Sequence, residues 1–388
     1  MKTLWTFTWH FLVVLIVLAC AALGIGLWFG ADMDIGDNMT AYKVGDEGPH
    51  VFLQGERWVQ QTLRGNREEG FWIEEKSHAL DETMPLNVTF PLENSHFSVH
   101  ARAEFVTPPV RYQDDQAILA ISDIEGNFKT FRDFLISAKV INADLDWIFG
   151  RGHLVLVGDF VDRGASTTQV LWLIYKLEQS AAAQGGRVHY ILGNHEIKNL
   201  QGNFQAAHKK YFNIAGILGR QQSDLFGDSS FLGRWLMSKN SIEVINGRAF
   251  VHGGLHPKLA SLPYGLEDIN RIVRSRYRQM WYPKRQPAPE DFLLDTVNGP
   301  SWYRGYFEGD LTQDQVEATL KKLEANAVVV GHTPTGKVKS LFDQKVFAID
   351  VKHPLDYRAS LPLRSSEGLR FEADKAWRVK EDGSRAAL

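Results

Sequence analysis

Apolar and polar positions divide this chain into three stretches. From Phe11 to Phe29 the sequence FLVVLIVLACAALGIGLWF runs for nineteen residues without a charge, just enough to cross a hydrocarbon layer of about 30 Å as a helix. Trp5 and Trp9 precede the run and Trp28 closes it, as aromatic belts do at the two interfaces of a membrane. Residues from about 31 to 45 are polar and rich in Gly and Asp, and read as a linker. From His50 to Pro109 the pattern turns to short alternating runs: Val51-Phe52-Leu53, Phe71-Trp72-Ile73, Asn87-Val88-Thr89-Phe90 and Phe97-Ser98-Val99-His100. These predict the strands of a small β-rich accessory region.

After Gln116 apolar β-rich runs alternate with amphipathic helical ones, the signature of a sheet with crossover helices. Ala117–Ile121, His153–Val157 and Val188–Leu192 are expected as buried strands, and Phe128–Ala138 as a helix. Ser166 is placed to cap a second helix that Gly185-Gly186 ends. Ile242–Ile245 and Arg248–Val251 flank Asn246-Gly247, a strong hairpin signal. Ala327–Val330 reads as a further strand, with a hairpin about Asp343-Gln344 after it. The expected organisation is an anchor over 1–30 with its helix at about 9–29, the linker and accessory region over 31–116, and a catalytic domain over 117–388.

Charge changes this picture at one end only. Lys2 and the amino terminus precede the apolar run, and Asp32, Asp34 and Asp37 follow it. The positive-inside rule leaves the amino terminus in the cytoplasm and the rest on the extracytoplasmic, periplasmic side of a single-pass protein. A cleaved secretory signal is the alternative, although the run exceeds the usual h-region of about 7–15 residues. A lipoprotein signal at Val17-Leu18-Ala19-Cys20 is another, although the run continues past Cys20. Cys20 is the sole cysteine, so neither an intrachain disulfide nor a thiolate metal site can form. With 46 acidic and 43 basic residues, the balance argues against a nucleic-acid partner, which calls for a basic excess.

Candidate chemistry sits where the strands end. The first runs into Asp123-Ile124-Glu125-Gly126-Asn127, the second into Gly158-Asp159-Phe160-Val161-Asp162-Arg163-Gly164, the third into Gly193-Asn194-His195-Glu196. Later strands end in His252-Gly253-Gly254 and in Gly331-His332-Thr333-Pro334. Ligands of open α/β sheets bind outside the carboxyl ends of the strands, so five loops converge on one place. Oxygen and imidazole ligands without thiolate suit Mn, Fe or Zn. The five specified positions of Gly-Asp-x-x-Asp-Arg-Gly arise by chance in roughly one such chain in ten thousand.

With these motifs the chain resembles the calcineurin-like metallophosphoesterases and, more narrowly, the phosphoprotein phosphatase type. Gly299-Pro300-Ser301-Trp302-Tyr303-Arg304-Gly305-Tyr306 resembles the bacterial-type branch that includes the Shewanella-like phosphatases. The resemblance covers about Ala117 to Asp350, with the carboxy-terminal strands, and implies an α/β fold in which a β-sandwich is flanked by helices. It implies two divalent metal ions, Mn foremost with Fe, Zn or Mg as alternatives. Asp123 and Glu125 would bind the first, Asp159 would bridge, and Asn194, His252 and His332 would bind the second. It also implies His195 with Asp162 as the acid pair, and Arg163, Arg304 and Asn194 as phosphate contacts.

The chemistry agrees: two cations about 3.5–4 Å apart neutralise a phosphate ester and hold a hydroxide in line with the ester bond, and guanidinium forks match phosphate oxygens. The expected activity is that of a membrane-anchored, metal-dependent phosphatase acting on phosphomonoesters, a small ester or a phosphoprotein. The alternatives are a nucleotide or dinucleotide polyphosphate hydrolase and a non-catalytic phosphate-binding envelope protein.

One residue departs from the family pattern. Where most members carry Asp-x-His, this chain carries Asp123-x-Glu125. Either Glu125 completes an all-carboxylate site that favours Mn or Mg over Zn, or it points away and the first metal binds weakly. Plainer readings apply elsewhere: His96 and His100 as a solvated pair, His256 and His353 as loop residues, His189 as structural, Trp235 and Leu236 as core, and Asp162 with Arg163 as a loop ion pair.

Overall fold

Strands that are apolar on every residue must be covered on both faces, and that requirement organises the chain after residue 116. The structure, a computed structural model, describes residues 2–29, 31–36 and 44–388. Ile118–Ile121 pairs in parallel with His153–Val157, which pairs in parallel with Arg187–Ile191. Glu367–Glu372, Lys375–Lys380 and Arg385–Ala387 extend this sheet antiparallel beyond Ile118–Ile121. A second six-stranded sheet runs in the order Lys339–Leu341, Val346–Ala348, Ala327–Val330, Arg248–Val251, Ile242–Ile245, Arg111–Tyr112.

Side chains alternate across each strand, so each sheet has an inner and an outer apolar face. Ile118, Ala120, Val155, Val157 and Ile191 meet Ile245, Phe250, Val329 and Phe347 in a dry layer between the sheets. Leu119, Ile121, Leu154 and Leu156 belong instead to the core shared with the helices Phe128–Ser137 and Thr167–Ala183. Each fully buried aliphatic or aromatic side chain contributes about 1.5–3 kcal/mol, which fixes strand register firmly. The result is the expected sandwich flanked by helices.

The local signals behave as their chemistry requires, with two exceptions. Asn246 and Gly247 both take left-handed φ, 47° and 74°, between antiparallel strands, and Asp343 and Gln344 do the same at 44° and 63°. Ser166 occupies the N-cap of Thr167–Ala183, but its side chain makes no capping bond. The polar stretch after the apolar run is not linker throughout: Met33–Ile35 is a strand, antiparallel to Ala359–Leu361. Residues 37–43 of the expected linker lie outside the described residues.

The β-rich region consists of a three-stranded sheet, Glu47–Gln54, Arg57–Asn66 and Gly70–Ala79, and a hairpin, Met84–Phe90 with Ser95–Ala101. It shares its core with the sandwich and its helices: Trp58 and Trp172 both pack on Phe231, at 5.5 and 5.4 Å between ring centroids, and Phe90 packs on Phe128 at 4.8 Å. The sandwich also begins before the expected boundary at 116, because Arg111–Tyr112 pairs in parallel with Val244 and Ile245. His96 and His100 are exposed, and Trp235 and Leu236 are buried. The N-terminal helix, Lys2–Trp28, is long and apolar enough to span a membrane from Trp5 onward. The amide of Ala31 closes its end by donating to the carbonyl of Gly26 at 2.9 Å.

Candidate metal centre and phosphate cleft

The carboxyl ends of strands from both sheets meet at one cleft. Asp123 follows Ile118–Ile121, Asp159 follows His153–Val157, and Asn194 and His195 open the helix after Arg187–Ile191. His252 follows Arg248–Val251, His332 follows Ala327–Val330, and Asp350 follows Val346–Ala348. Sharp turns are needed to bring the side chains inward. Asp123, Glu125, Asp159, Asp162, Arg163 and His332 all have left-handed φ, between 51° and 70°, a conformation that costs about 1–3 kcal/mol in a non-glycine residue. Gly158 makes the closest approach, at φ 80°: a Cβ there would lie 2.5 Å from Nδ1 of His252 and 2.6 Å from Cα of Gly193.

Glu196, to which the sequence reading assigned no role, ties these turns together. It is fully buried, and its carboxylate accepts from the amides of Asp159 at 2.9 Å, Phe160 at 2.7 Å and Gly193 at 2.8 Å, and from the hydroxyl of Tyr190 at 2.9 Å. The second and third loops are thereby fastened to one side chain. Its signal in the sequence was only its place beside His195.

Ligand atoms of Asp159, His252 and His332 lie within 4.8 Å of one another, all buried. The Asn194 carboxamide oxygen lies 3.0 Å from Nε2 of His252, and its position is 3.1 Å from Oδ2 of Asp159 and 3.0 Å from Nδ1 of His332. Rotating the amide would place its NH₂ among these three acceptors. With a cation at the centre, the oxygen is the atom that belongs there. Nδ1 of His252 donates to the carbonyl of Val157 at 2.8 Å, which leaves Nε2 free as a ligand, as in many metal-binding imidazoles.

The electrostatics point the same way. Burial opposes charge on His252, but the adjoining Asp159 carboxylate outweighs it and pushes its pKa up to about 10. Burial and the charge of His252 drive His332 down to about 2. Burial also raises Asp123, to about 6, with Asp159 adding to the effect. Asp350 is raised well above the usual range by burial and by Asp123. A pocket of buried carboxylates that strains to hold protons is one that cations can occupy instead. Asp159, Asn194, His252 and His332 therefore fit a divalent cation. Asp350 was missed in the sequence, although it follows a strand as the other acidic residues do.

Nδ1 of His195 lies 2.7 Å from Oδ2 of Asp162, and the other oxygen of Asp162 accepts from Nδ2 of Asn199 at 2.8 Å. Nε2 of His195 is 3.8 Å from Oδ2 of Asp159, so the ring edge faces the ligand cluster. The amide of His195 donates to Oδ1 of Asp159 at 2.9 Å. Arg304 donates from Nη1 to the carbonyl of His332 at 2.6 Å and to Oγ1 of Thr333 at 3.1 Å. Arg163 forms an ion pair with Glu125, not with Asp162. Glu125 thus lies at the cleft with its carboxylate on a guanidinium, and the grouped ligand atoms do not include it.

Three further histidines have structural partners. His353 bonds the carbonyl of Ser122 at 2.9 Å and Oγ of Ser366 at 3.1 Å. His189 lies 2.7 Å from Glu243 and 2.8 Å from His153. His256 accepts from the amide of Lys258 at 3.0 Å. Lys198 stands over the Trp302 ring at 5.1 Å and lines the cleft.

Comparison with known proteins agrees with this geometry. The calcineurin-like phosphoesterase family matches residues 117–336. The chain is similar to Shewanella-like protein phosphatase 2 of Arabidopsis thaliana, 27% identical over 312 residues that cover 67% of this chain and 78% of that one. It is also similar to a symmetrical bis(5'-nucleosyl)-tetraphosphatase of Aromatoleum aromaticum, 29% identical over 153 residues that cover 38% and 47%. Among solved structures, the cold-active protein-tyrosine phosphatase of a psychrophilic Shewanella species superposes with a TM-score of 0.75 at 29% identity, covering 88% of this chain and 99% of that one. This chain belongs to the calcineurin-like phosphoesterase family and, within it, is similar to the Shewanella-like phosphatases.

Proposed function

We propose that the chain is a membrane-anchored, metal-dependent phosphatase that hydrolyses phosphomonoesters, with its catalytic domain on the extracytoplasmic side. The observation that carries this reading is the His195–Asp162 pair, 2.7 Å apart, beside the ligand cluster. A module that only bound phosphate would have no use for an oriented acid.

Asp159, Asn194, His252 and His332 would hold one cation, and Asp123, Glu125 and the shared Asp159 a second. Such cations supply charge neutralisation for the ester and a water acidic enough to attack at neutral pH. The protein's own groups do the rest. Arg163, Arg304 and Asn194 hold the phosphate oxygens, and Arg163 exchanges Glu125 for substrate as it does so. Asp162 keeps the proton of Nδ1 in place, Asn199 fixes Asp162, and Nε2 of His195 gives its proton to the departing oxygen.

The test is phosphate release from nitrophenyl phosphate by the full chain with Mn, Mg, Fe or Zn supplied in turn. Turnover with at least one metal is expected. No turnover above the metal blank with any of them overturns the reading and leaves a phosphate-binding protein. A second reading, hydrolysis of dinucleotide polyphosphates, draws on the similarity to the tetraphosphatase. Faster turnover of diadenosine tetraphosphate than of any monoester would establish it.

A further inference from the structure

The wall of the cleft is built from the first residues to leave the N-terminal helix. After the Ala31–Gly26 bond closes that helix, Met33–Ile35 pairs with Ala359–Leu361. Oδ2 of Asp32 accepts from Nζ of Lys352 at 2.8 Å and from Nη2 of Arg364 at 2.9 Å. Oδ1 of Asp34 lies 3.1 Å from the same Nη2. Asp32, Asp34, Lys352 and Arg364 line one cleft of about 800 Å³ with Asn194 and His195.

Chain reach converts this into a depth. Asp32 follows Phe29 by three residues, so at about 3.6 Å per residue their Cα atoms are no more than about 11 Å apart. The headgroup layer on each side of a hydrocarbon core is roughly 5–8 Å deep. A spanning helix therefore holds this wall in the headgroup layer or immediately above it. Two observations suit that placement. Leu363, beyond the strand that pairs with Met33–Ile35, is 87% exposed, and Val297, at the cleft, is 66% exposed; lipid can take up apolar side chains at this level. Arg358 also lines the cleft, which puts a guanidinium on the wall that an anionic headgroup would face.

On the anchored-phosphatase reading, we infer that the cleft opens onto the membrane surface and takes a phosphate monoester carried by a lipid of the same leaflet. The phosphate enters toward Asn194 and His195 while the acyl chains stay in the bilayer. Water adds its oxygen to phosphorus and gives up a proton to solvent. The bond from phosphorus to the lipid oxygen breaks with its electron pair on that oxygen, and His195 protonates it. The products are a lipid alcohol and inorganic phosphate.

The experiment uses the full chain in phosphatidylcholine vesicles with manganese supplied. It compares dioleoyl phosphatidic acid in the same vesicles with glycerol 3-phosphate and nitrophenyl phosphate in solution. Confinement to one surface should raise kcat/KM for the lipid roughly 10²-fold over glycerol 3-phosphate. A flexible Gly/Ser insertion of about 20 residues after Phe29, with a mean span of roughly 25 Å, should abolish most of that preference and leave nitrophenyl phosphate turnover unchanged. A second measurement does not depend on turnover: a fluorophore on Leu363→Cys in a Cys20→Ala background should be quenched by lipids brominated near the headgroup.

Equal kcat/KM for the lipid and for glycerol 3-phosphate, or an unquenched fluorophore, overturns the lipid substrate while nitrophenyl phosphate turnover upholds the phosphatase. Preference for a phosphotyrosine peptide over the lipid overturns it too. Loss of nitrophenyl phosphate turnover with every metal overturns the phosphatase reading itself, and release of the chain by a carbonate wash overturns the anchor.

Discussion

Nδ1 of His195 and Oδ2 of Asp162 stand 2.7 Å apart, and Asn199 holds the far side of the carboxylate at 2.8 Å. The ring is thus set by a carboxylate that is itself held before any substrate arrives. If Nε2 is the proton donor, His195→Asn should lower turnover of an alkyl phosphate by roughly 10²–10⁴. The loss should be smaller for nitrophenyl phosphate, whose leaving oxygen scarcely needs a proton. Equal losses on the two substrates would make His195 a structural or phosphate-holding residue.

Glu125 is bound to Arg163, a residue assigned to the substrate. Glu125→His should release Arg163, lower KM, and move the metal optimum toward Fe or Zn. Glu125→Ala should lose the first metal and keep the one held by Asn194, His252 and His332. Bound metal per chain and activity across Mn, Mg and Zn check both; two metals and normal rates in Glu125→Ala would remove Glu125 from the ligand set.

Glu196 joins the second and third loops through five donors, all of which need an acceptor. Glu196→Gln turns an NH₂ toward some of them and should cost about 3–5 kcal/mol, in the range found when one member of a buried charged network is lost. Urea unfolding of the two forms measures this directly. A loss below about 1 kcal/mol would mean that the loops are held elsewhere.

His353 gives a pH dependence. Burial drives its pKa down to about 4, whereas an unfolded histidine titrates near ~6.5. Between these values the unfolded chain binds more protons, so stability rises with pH through that window and is lost on acidification. From pH 7 to 5 this ring alone should account for about 2 kcal/mol. His353→Gln should be less stable at neutral pH and should lose that share of the acid sensitivity, as read from urea midpoints at the two pH values.

Orientation is tested by a reporter fused after Leu388. Lys2 on one side of the apolar run and Asp32, Asp34 and Asp37 on the other predict extracytoplasmic reporter activity. Cytoplasmic activity would reverse the topology.

Much of the domain after residue 116 was legible because its buried strands are short, continuous apolar runs, each followed by a proposed ligand. Ile118–Ile121 leads to Asp123 and Ala327–Val330 to His332 within two residues. What escaped was long-range pairing. Met33–Ile35 reads as polar linker because only its partner Ala359–Leu361 makes it a strand. Arg111–Tyr112 is too short to carry a period and gains its place from Val244 and Ile245. Glu196 looked like the tail of a motif, since nothing local announces a carboxylate that serves amides 36 and 37 positions away. The Glu125–Arg163 pair was equally hidden, since nothing in either motif announces that the two side chains meet.

The bond between Asp32 and Arg364 joins positions 332 residues apart, which imposes an order on biosynthesis. At ~5–20 residues per second, the ribosome needs roughly 15–70 s to make the intervening chain. Until that interval is nearly over the newly made Asp32 has neither Lys352 nor Arg364 to meet, and Met33–Ile35 has no strand beside it. The side of the cleft next to the apolar helix is therefore finished last, after every proposed metal ligand has been translated. A chain stalled before Ala359 would carry all of those ligands and still lack that wall.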